Sequence, residues 1–571
     1  AAPGRGRRQL GGGALAPACR LVHRSPCRPA PPLVPRERRP GPGGGFLRRV
    51  GTIASGTLVS RILGLLRDRV IAGAFAPAAT DAFFVAFTIP NALRGLVAEG
   101  AASAAVVPLA TEARRAGGDD AAQRFTGRFF GTLAALLTGL ALVGVLAAPA
   151  LVAVYAAGYL DEGDGGAVGA ERFTTTVALT RWVFPYVVLV GLAGVATGTL
   201  HARDRFRTAS LAPAWLNVGL IAAPFALLPV AAALRLPPVG CLALGALGGG
   251  AAHLITVAGE ARRVGALGAP RFAPWDPEVR EGFRRLGPLV VGVGVYQANV
   301  LLARLVASFL EVGAQSYLYY AQRLVEVPQG LLALAVAGAS LPALAARHAE
   351  GDRAGLRAGL TDALGLVLFI ATPAAVLLVV LAEPVVATLF RTGAFGAEEV
   401  AATAAALRAQ ALGVIAVSAA RALVPAFHAR GDTRRPVQAS AVNLAVFAPA
   451  APMLAAAFGH VGIALAIALA GLAQATALFL WLGRGPDGIA LDLRALAGRL
   501  GRTGLASALA AGAALAVLRG WGPEAAVGGG ATGMVILITS LGAAVLTFGG
   551  VATVLGAPEM ATLRTRLGRR S

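Results

Sequence analysis

An all-α polytopic membrane protein is predicted by three features of this 571-residue sequence. Hydrophobic residues make up 56% of it, its mean hydropathy is +0.69, and only 14% of its residues are Asp, Glu, Lys or Arg. A soluble protein carries about 25% charged residues, and no soluble core could hide this apolar excess. The apolar residues fall in continuous runs rather than in short segments of alternating polarity. They therefore suit helices of about 20 residues across a bilayer, not a barrel.

The net charge of +22 raises the question of a nucleic-acid partner, but the placement of the charge argues for none. All 51 basic residues are Arg, a bias that, with so much Ala, Gly and Pro, reflects a GC-rich genome rather than a function. Residues 1–49 hold eleven Arg and one Glu and read as a disordered Arg/Pro/Gly-rich extension or a misplaced start. An organelle transit peptide is the other reading. The three cysteines, Cys19, Cys27 and Cys241, have no metal-ligand spacing and argue against redox chemistry or a disulfide scaffold.

Charge-free runs cover Phe129 to Leu160, Thr208 to Leu234, Leu236 to Gly259, Pro436 to Gly483 and Ala525 to Pro558. The run from Pro436 is too long for one crossing and divides at Phe458-Gly459-His460-Val461-Gly462. Adding the runs with isolated charges gives fourteen expected crossings: 51–75, 82–110, 129–157, 174–202, 208–234, 237–259, 286–310, 314–344, 360–382, 400–427, 436–457, 462–483, 503–518 and 527–556. Connections after the even-numbered crossings, with the C-terminal tail, carry 27 Arg. The opposite connections carry four, Arg172, Arg235, Arg391 and Arg519, against ten acids. The positive-inside rule then puts both termini in the cytoplasm.

An internal echo organises these crossings. His201-Ala202-Arg203 leads through Asn217 to Pro224, and His428-Ala429-Arg430 leads through Asn443 to Pro449 in the same order. Pro90 and Pro108 in the second crossing pair more weakly with Pro328 and Pro342 in the eighth. The expected architecture is an extension (1–49), a lobe of helices 1–6 (50–263), a lobe of helices 7–12 in parallel repeat (264–483), and two further helices with a basic tail (484–571). Such repeats are a transporter arrangement, with substrate held between the lobes.

Nine Arg fall inside the expected crossings: Arg61, Arg67, Arg69, Arg94, Arg181, Arg304, Arg323, Arg408 and Arg421. Only Asp68, Glu99 and Glu326 lie at comparable depth. Each unpaired charge at mid-membrane costs about 2.5 to 3.5 kcal/mol, so the set must line a wet cavity or meet counter-charges. Snorkelling to the interface would account for single residues, Arg181, Arg304 and Arg408 above all. It does not account for Arg61, Arg67, Arg94 and Arg323 together. A surplus of guanidinium groups suits a phosphate-bearing ligand, which their planar fork can grip bidentately. Asp68 beside Arg67, and Glu326 one turn beyond Arg323, would hold those groups in place or merely pair with them.

Other features are less telling. Six His are scattered, with His201 and His428 belonging to the repeat, and no Walker-type loop is present. The Tyr317–Tyr320 cluster reads as packing at the membrane interface, and the Gly245–Gly250 stretch as close helix packing.

The ordered runs Ser60-Arg61-Ile62-Leu63-Gly64-Leu65-Leu66-Arg67-Asp68 and Thr80-Asp81-Ala82-Phe83-Phe84-Val85-Ala86-Phe87 carry a resemblance. Pro90-Asn91 with Arg94, Ala98-Glu99-Gly100-Ala101, Val107-Pro108, Phe184-Pro185-Tyr186, Leu286-Gly287-Pro288, Ala307-Ser308-Phe309-Leu310, Tyr319-Tyr320-Ala321 with Arg323, and Leu341-Pro342 extend it. Over residues 50–560 the sequence resembles the MurJ (MviN) lipid II flippases of the multidrug/oligosaccharidyl-lipid/polysaccharide exporter superfamily. The resemblance implies fourteen helices and outward movement of undecaprenyl-pyrophosphate-linked peptidoglycan precursor across the bacterial inner membrane. It implies that Arg61, Arg67, Arg94 and Arg323 are the functional cavity arginines and that Asp68, Asp81, Glu99 and Glu326 are their acidic partners. Helices 13 and 14 would border a groove for the lipid tail. Two departures stand out: Arg69 follows Asp68 where an uncharged residue is commoner, and the connection before Thr80 is one residue short. Some members have a sodium site with an acid in crossing 7, but Val290 to Leu302 contains none.

The expected function is therefore alternating-access transport without a catalytic constellation, cofactor or resident metal, with membrane potential biasing return of the empty carrier. Partners would be the lipid-linked precursor, membrane lipids and the cell-wall synthesis machinery. A flippase for another polyprenyl-linked glycan, a cation-coupled multidrug exporter and a membrane glycosyltransferase are the alternatives. The exporter should place acids in the cavity, and the glycosyltransferase needs a large extracytoplasmic loop.

Overall fold

The computed structural model describes residues 44–97, 101–161, 167–337, 346–347, 350–484 and 488–560. Among them, helices account for nearly the whole chain. The first two are α1 (Gly44–Ala74) and α2 (Pro77–Val97); α3 (Ala101–Leu146) is interrupted by non-helical backbone at Gly117 and Gly118. Next come α4 (Ala148–Tyr155), α5 (Ala167–Val183) and α6 (Tyr186–His201). The expected crossing 174–202 is thus two helices, parted at Phe184-Pro185, where proline removes a ladder donor. The expected crossing 208–234 is likewise three pieces: α7 (Phe206–Leu211), α8 (Ala214–Ala226) and α9 (Leu228–Ala233). Pro213 and Pro229 sit at the breaks.

The chain continues as α10 (Gly240–Arg263), α11 (Pro277–Ser308), α12 (Ala314–Ala337), α13 (Arg353–Val380), α14 (Ala382–Phe390) and α15 (Ala397–Ala429). It ends in α16 (Arg434–Leu482), α17 (Leu493–Trp521), α18 (Pro523–Val527) and α19 (Gly530–Val554). Several starts follow from local chemistry. Asp276 accepts from the backbone N–H groups of Glu278 and Val279 at 3.0 and 3.3 Å, with Pro277 at the first helical position. Asp352 and Asp492 cap α13 and α17 in the same way.

Gly459 carries φ +55° inside α16, a left-handed conformation open to glycine, and folds the helix back on itself where the sequence predicted a division. Asn443 and Gln474, on the two arms, consequently meet through a 3.1 Å hydrogen bond. α8 and α10 also approach backbone to backbone. A Cβ on Gly245 would stand 2.6 Å from the Gly219 carbonyl oxygen, so only glycine fits there.

Nine helical segments among the described residues are long and apolar enough to cross a membrane. α1, α2, α11 and α12 are not among them, and each carries Arg or acid within its length. The perimeter is apolar: Phe225, Ile255, Ile538, Leu546 and Val554 are all exposed, as side chains facing hydrocarbon should be. The largest buried cluster joins Ile71 and Phe83 to Tyr320, Phe390 and Phe427, and so links α1 and α2 to α12, α14 and α15.

Candidate functional site

α1 brings Arg61, Arg67 and Asp68 to a cavity of about 500 Å³, which Asn217 of α8 and Arg323 and Glu326 of α12 also line. Arg67 is buried and fully engaged. Its Nε and Nη2 donate to Asp68 Oδ1 at 2.8 and 2.6 Å, its Nη1 to Asn217 Oδ1 at 3.0 Å, and Nη2 also to the Tyr319 hydroxyl at 2.8 Å. Arg323, a third exposed, donates to Glu326 Oε2 at 2.8 Å and to the same Tyr319 hydroxyl at 3.1 Å. Its guanidinium lies 4.9 Å from the centre of the Tyr319 ring. Asp68 Oδ2 and Arg323 Nε stand 3.7 Å apart, and both are buried without a hydrogen-bond partner. Arg61 is exposed and donates to the backbone carbonyl of Glu326 at 2.9 Å.

Three guanidinium groups therefore share two carboxylates in one open chamber. Among the described residues, two of them keep unpaired donors that can meet an anion, while Arg67 is the fixed centre. A pyrophosphate oxygen is a fitting guest for such a set.

Asp81 lies elsewhere. The resemblance made it a partner of the cavity arginines, but it is fully buried and accepts from the Gly313 and Ser316 backbone N–H groups at 2.7 and 2.8 Å and from the Ser316 hydroxyl at 2.6 Å. Its counter-charge is Arg172, at 3.3 Å, whose guanidinium lies 4.2 Å from the centre of the Tyr159 ring. Neighbouring ties run between the same two halves of the chain. Thr80 and Ser316 hydroxyls are 2.7 Å apart, Gly158 N–H donates to Ser308 Oγ at 3.0 Å, and Ala394 N–H donates to the Gly73 carbonyl at 3.0 Å. Arg69, the unusual residue after Asp68, donates at 2.7 Å to the carbonyls of Thr388 and Leu389, the open C-terminal turn of α14. In the adjoining connection, the hydrogen bond from His460 holds the Glu311 carboxyl below its ordinary range.

Arg94 lies on α2, but its side chain is outside the described residues, as is Glu99. Arg304 is partly buried and donates to the Gln315 carbonyl and side-chain oxygens at 3.0 and 2.9 Å. The tyrosine cluster is no interfacial belt. Tyr320 is buried, and Tyr319 stacks on Phe84 with ring centres 3.9 Å apart, which aims its hydroxyl at the arginines. Sequence reasoning passed over Tyr319 and Asn217 as site residues. The Asn217–Asn443 echo was the signal for the second. Asn217 binds α1 through Ser60 and Arg67, and Asn443 accepts from Asn299 of α11 at 3.1 Å.

An apolar perimeter around many spanning helices, with a chamber holding surplus fixed positive charge, defines a multi-pass membrane transporter for an anionic substrate. The family model described as lipid II flippase MurJ matches residues 71–535, and the chain belongs to that family. It is 34% identical over 435 residues to a probable lipid II flippase MurJ of Vibrio cholerae, covering 76% of this chain and 82% of that one. With the Rhizobium tropici counterpart, also described as probable, it shares 32% over 533 residues, covering 92% and 97%. Among solved structures it is similar to a lipid II flippase MurJ in an inward closed conformation, with TM-score 0.71, 21% identity and coverage of 88% and 98%. An inward-facing multidrug resistance MATE transporter of the MOP superfamily gives TM-score 0.62 at 14% identity, covering 76% and 97%. These two likenesses concern the fold.

Proposed function

We propose that this chain moves lipid II, the undecaprenyl-pyrophosphate-linked peptidoglycan precursor, from the inner to the outer leaflet of the bacterial inner membrane by alternating access. The observation that carries the reading is the Arg61–Arg67–Arg323 set around one chamber, with more guanidinium than carboxylate charge. Family membership supplies the substrate.

The arrangement is fourteen crossings, in lobes of residues 50–263 and 264–483, followed by residues 484–571. Both termini are cytoplasmic, so the chamber opens inward and the Asp81 end is the outer seal. Arg61, Arg67, Arg94 and Arg323 take the pyrophosphate. Asp68 and Glu326 position Arg67 and Arg323, Glu99 supports Arg94, and Asp81 belongs to the seal. The polyprenyl tail stays in lipid beside α17 and α19. Binding the anion relieves repulsion among the arginines, which favours closure around it and reopening outward. Membrane potential, acting at about 2.3 kcal/mol per charge per 100 mV, biases return of the empty carrier. Membrane lipids and the cell-wall synthesis machinery are its partners.

Depleting the protein in its host should leave lipid II accumulated on the inner leaflet, and Arg67→Ala or Arg323→Ala should fail to restore translocation although the variant folds. Unaltered lipid II topology on depletion would overturn the reading and favour another polyprenyl-linked glycan as cargo.

A further inference from the structure

The molecule carries two polar cavities with different chemistry. One is the arginine chamber on α1, α8 and α12. The other, of about 280 Å³, is bounded by α11, α12, α15 and α16. The echoed asparagines mark them, since Asn217 lines the first and Asn443 the second, each bonded to the leading helix of its own half.

The second cavity has no carboxylate among its described lining residues. Its polar wall is mostly amide, with Asn299, Gln322, Gln329, Gln410, Asn443 and Gln474 beside two arginines. Asn299 donates to Asn443 and Asn443 to Gln474, each at 3.1 Å, so one chain of amides crosses the wall. Gln410, 3% exposed, donates to the Leu318 carbonyl at 3.4 Å, and its own carbonyl oxygen is buried with no donor. Asn299 Oδ1 is likewise unpartnered. The two unpaired atoms are amide oxygens and call for donors, as hydroxyl and acetamide N–H groups are, while Gln322 on the same wall offers N–H groups to an acceptor. Arg304 and Arg421 on the same wall weigh against a cation, and Phe447 and Ile463 offer an apolar face to a sugar ring.

Position adds a second argument. Tyr319 belongs to both sites, for its hydroxyl binds Arg67 and Arg323 while the residue lines the amide cavity. On α12, Arg323 and Glu326 face one chamber and Gln322 and Gln329 the other. Tyr319 and α12 thus join the arginine set to the amide wall. We propose that this second cavity is a subsite for an N-acetylated sugar linked directly to the pyrophosphate. The proposal rests on the flippase reading above and adds to it what the second half of the molecule recognises.

The test is equilibrium binding by the full-length protein in nanodiscs, with two probes: undecaprenyl pyrophosphate, and the same lipid bearing one N-acetylhexosamine. Wild-type protein should bind the sugar-bearing lipid more tightly by about tenfold, the worth of roughly one well-made hydrogen bond. Gln322→Leu and Asn443→Leu should each remove most of that gain and leave the bare lipid's affinity unchanged; among the described residues Gln322 has no hydrogen-bond partner, so its variant should keep the fold. Equal affinity of wild-type protein for the two lipids, or variants that weaken both alike, would overturn the subsite. Arg323→Ala reports on the parent reading separately, because it should weaken both probes. If it weakens neither, the pyrophosphate site falls and the subsite with it.

Discussion

Replacing Tyr319 by Phe isolates the one oxygen shared by two arginines. The ring keeps its stacking on Phe84, and only the hydroxyl is lost. That oxygen accepts from Arg67 at 2.8 Å and from Arg323 at 3.1 Å. A hydrogen bond to a charged group contributes about 1.5–3 kcal/mol. The Arg67 bond is buried and warrants that range, while Arg323 is 33% exposed, so its bond counts for less, about 1 kcal/mol or below after solvent screening. The loss should total about 2–4 kcal/mol, divided between the resting fold and the bound state. If half of it falls on the bound state, affinity for lipid II drops roughly five- to thirtyfold. Titration of the purified variant in nanodiscs measures the affinity, and thermal melting measures the rest. Unchanged affinity and melting in Tyr319→Phe, with collapse of both in Tyr319→Ala, would show that the ring matters and the hydroxyl does not orient the arginines.

Asp81→Asn should leave Arg172, itself 9% exposed, without its counter-charge, at a cost of about 3–5 kcal/mol. A melting temperature equal to wild type would refute this, and adding Arg172→Gln should recover part of the loss. Gly393→Ala should loosen the layer around Asp81, because φ there is +54° and the new Cβ would stand 2.1 Å from the Gly73 carbonyl oxygen. Disulfide trapping between cysteines placed at Thr80 and Ser316 should fall in that variant; an undiminished yield would show that the two segments part without consequence.

Features set by neighbours in the chain were readable from the sequence. Arg67 and Asp68 are adjacent, Glu326 is one turn from Arg323, and Gly459 interrupts an apolar run too long for one helix. In each case the physics acts within a few residues. Features set by distant partners were not. Asp81 finds Arg172 ninety-one positions away, and nothing in the Thr80-Asp81-Ala82-Phe83 run distinguishes it from an acid that faces the chamber. Tyr319 lies in a row of aromatics that composition reads as an interfacial belt. Its place beside Arg67 comes from the crossing of α1, α2 and α12. The sequence leaves the depth of Arg304 open, and only the fold shows that Gln315, eleven residues on, turns back to take it.

The layer around Asp81 has a consequence for how the molecule can part. Its bonds across the two halves run largely to main-chain atoms: Gly313 N–H, Ser316 N–H, the Gly73 carbonyl, and the carbonyls that receive Arg69. Water can replace every one of them as the faces separate. Arg172, by contrast, comes from the same half as Asp81 and travels with it. In the proposed transport cycle, opening therefore exposes an Asp81 already neutralised by Arg172, while Arg69 exchanges its carbonyl partners for water.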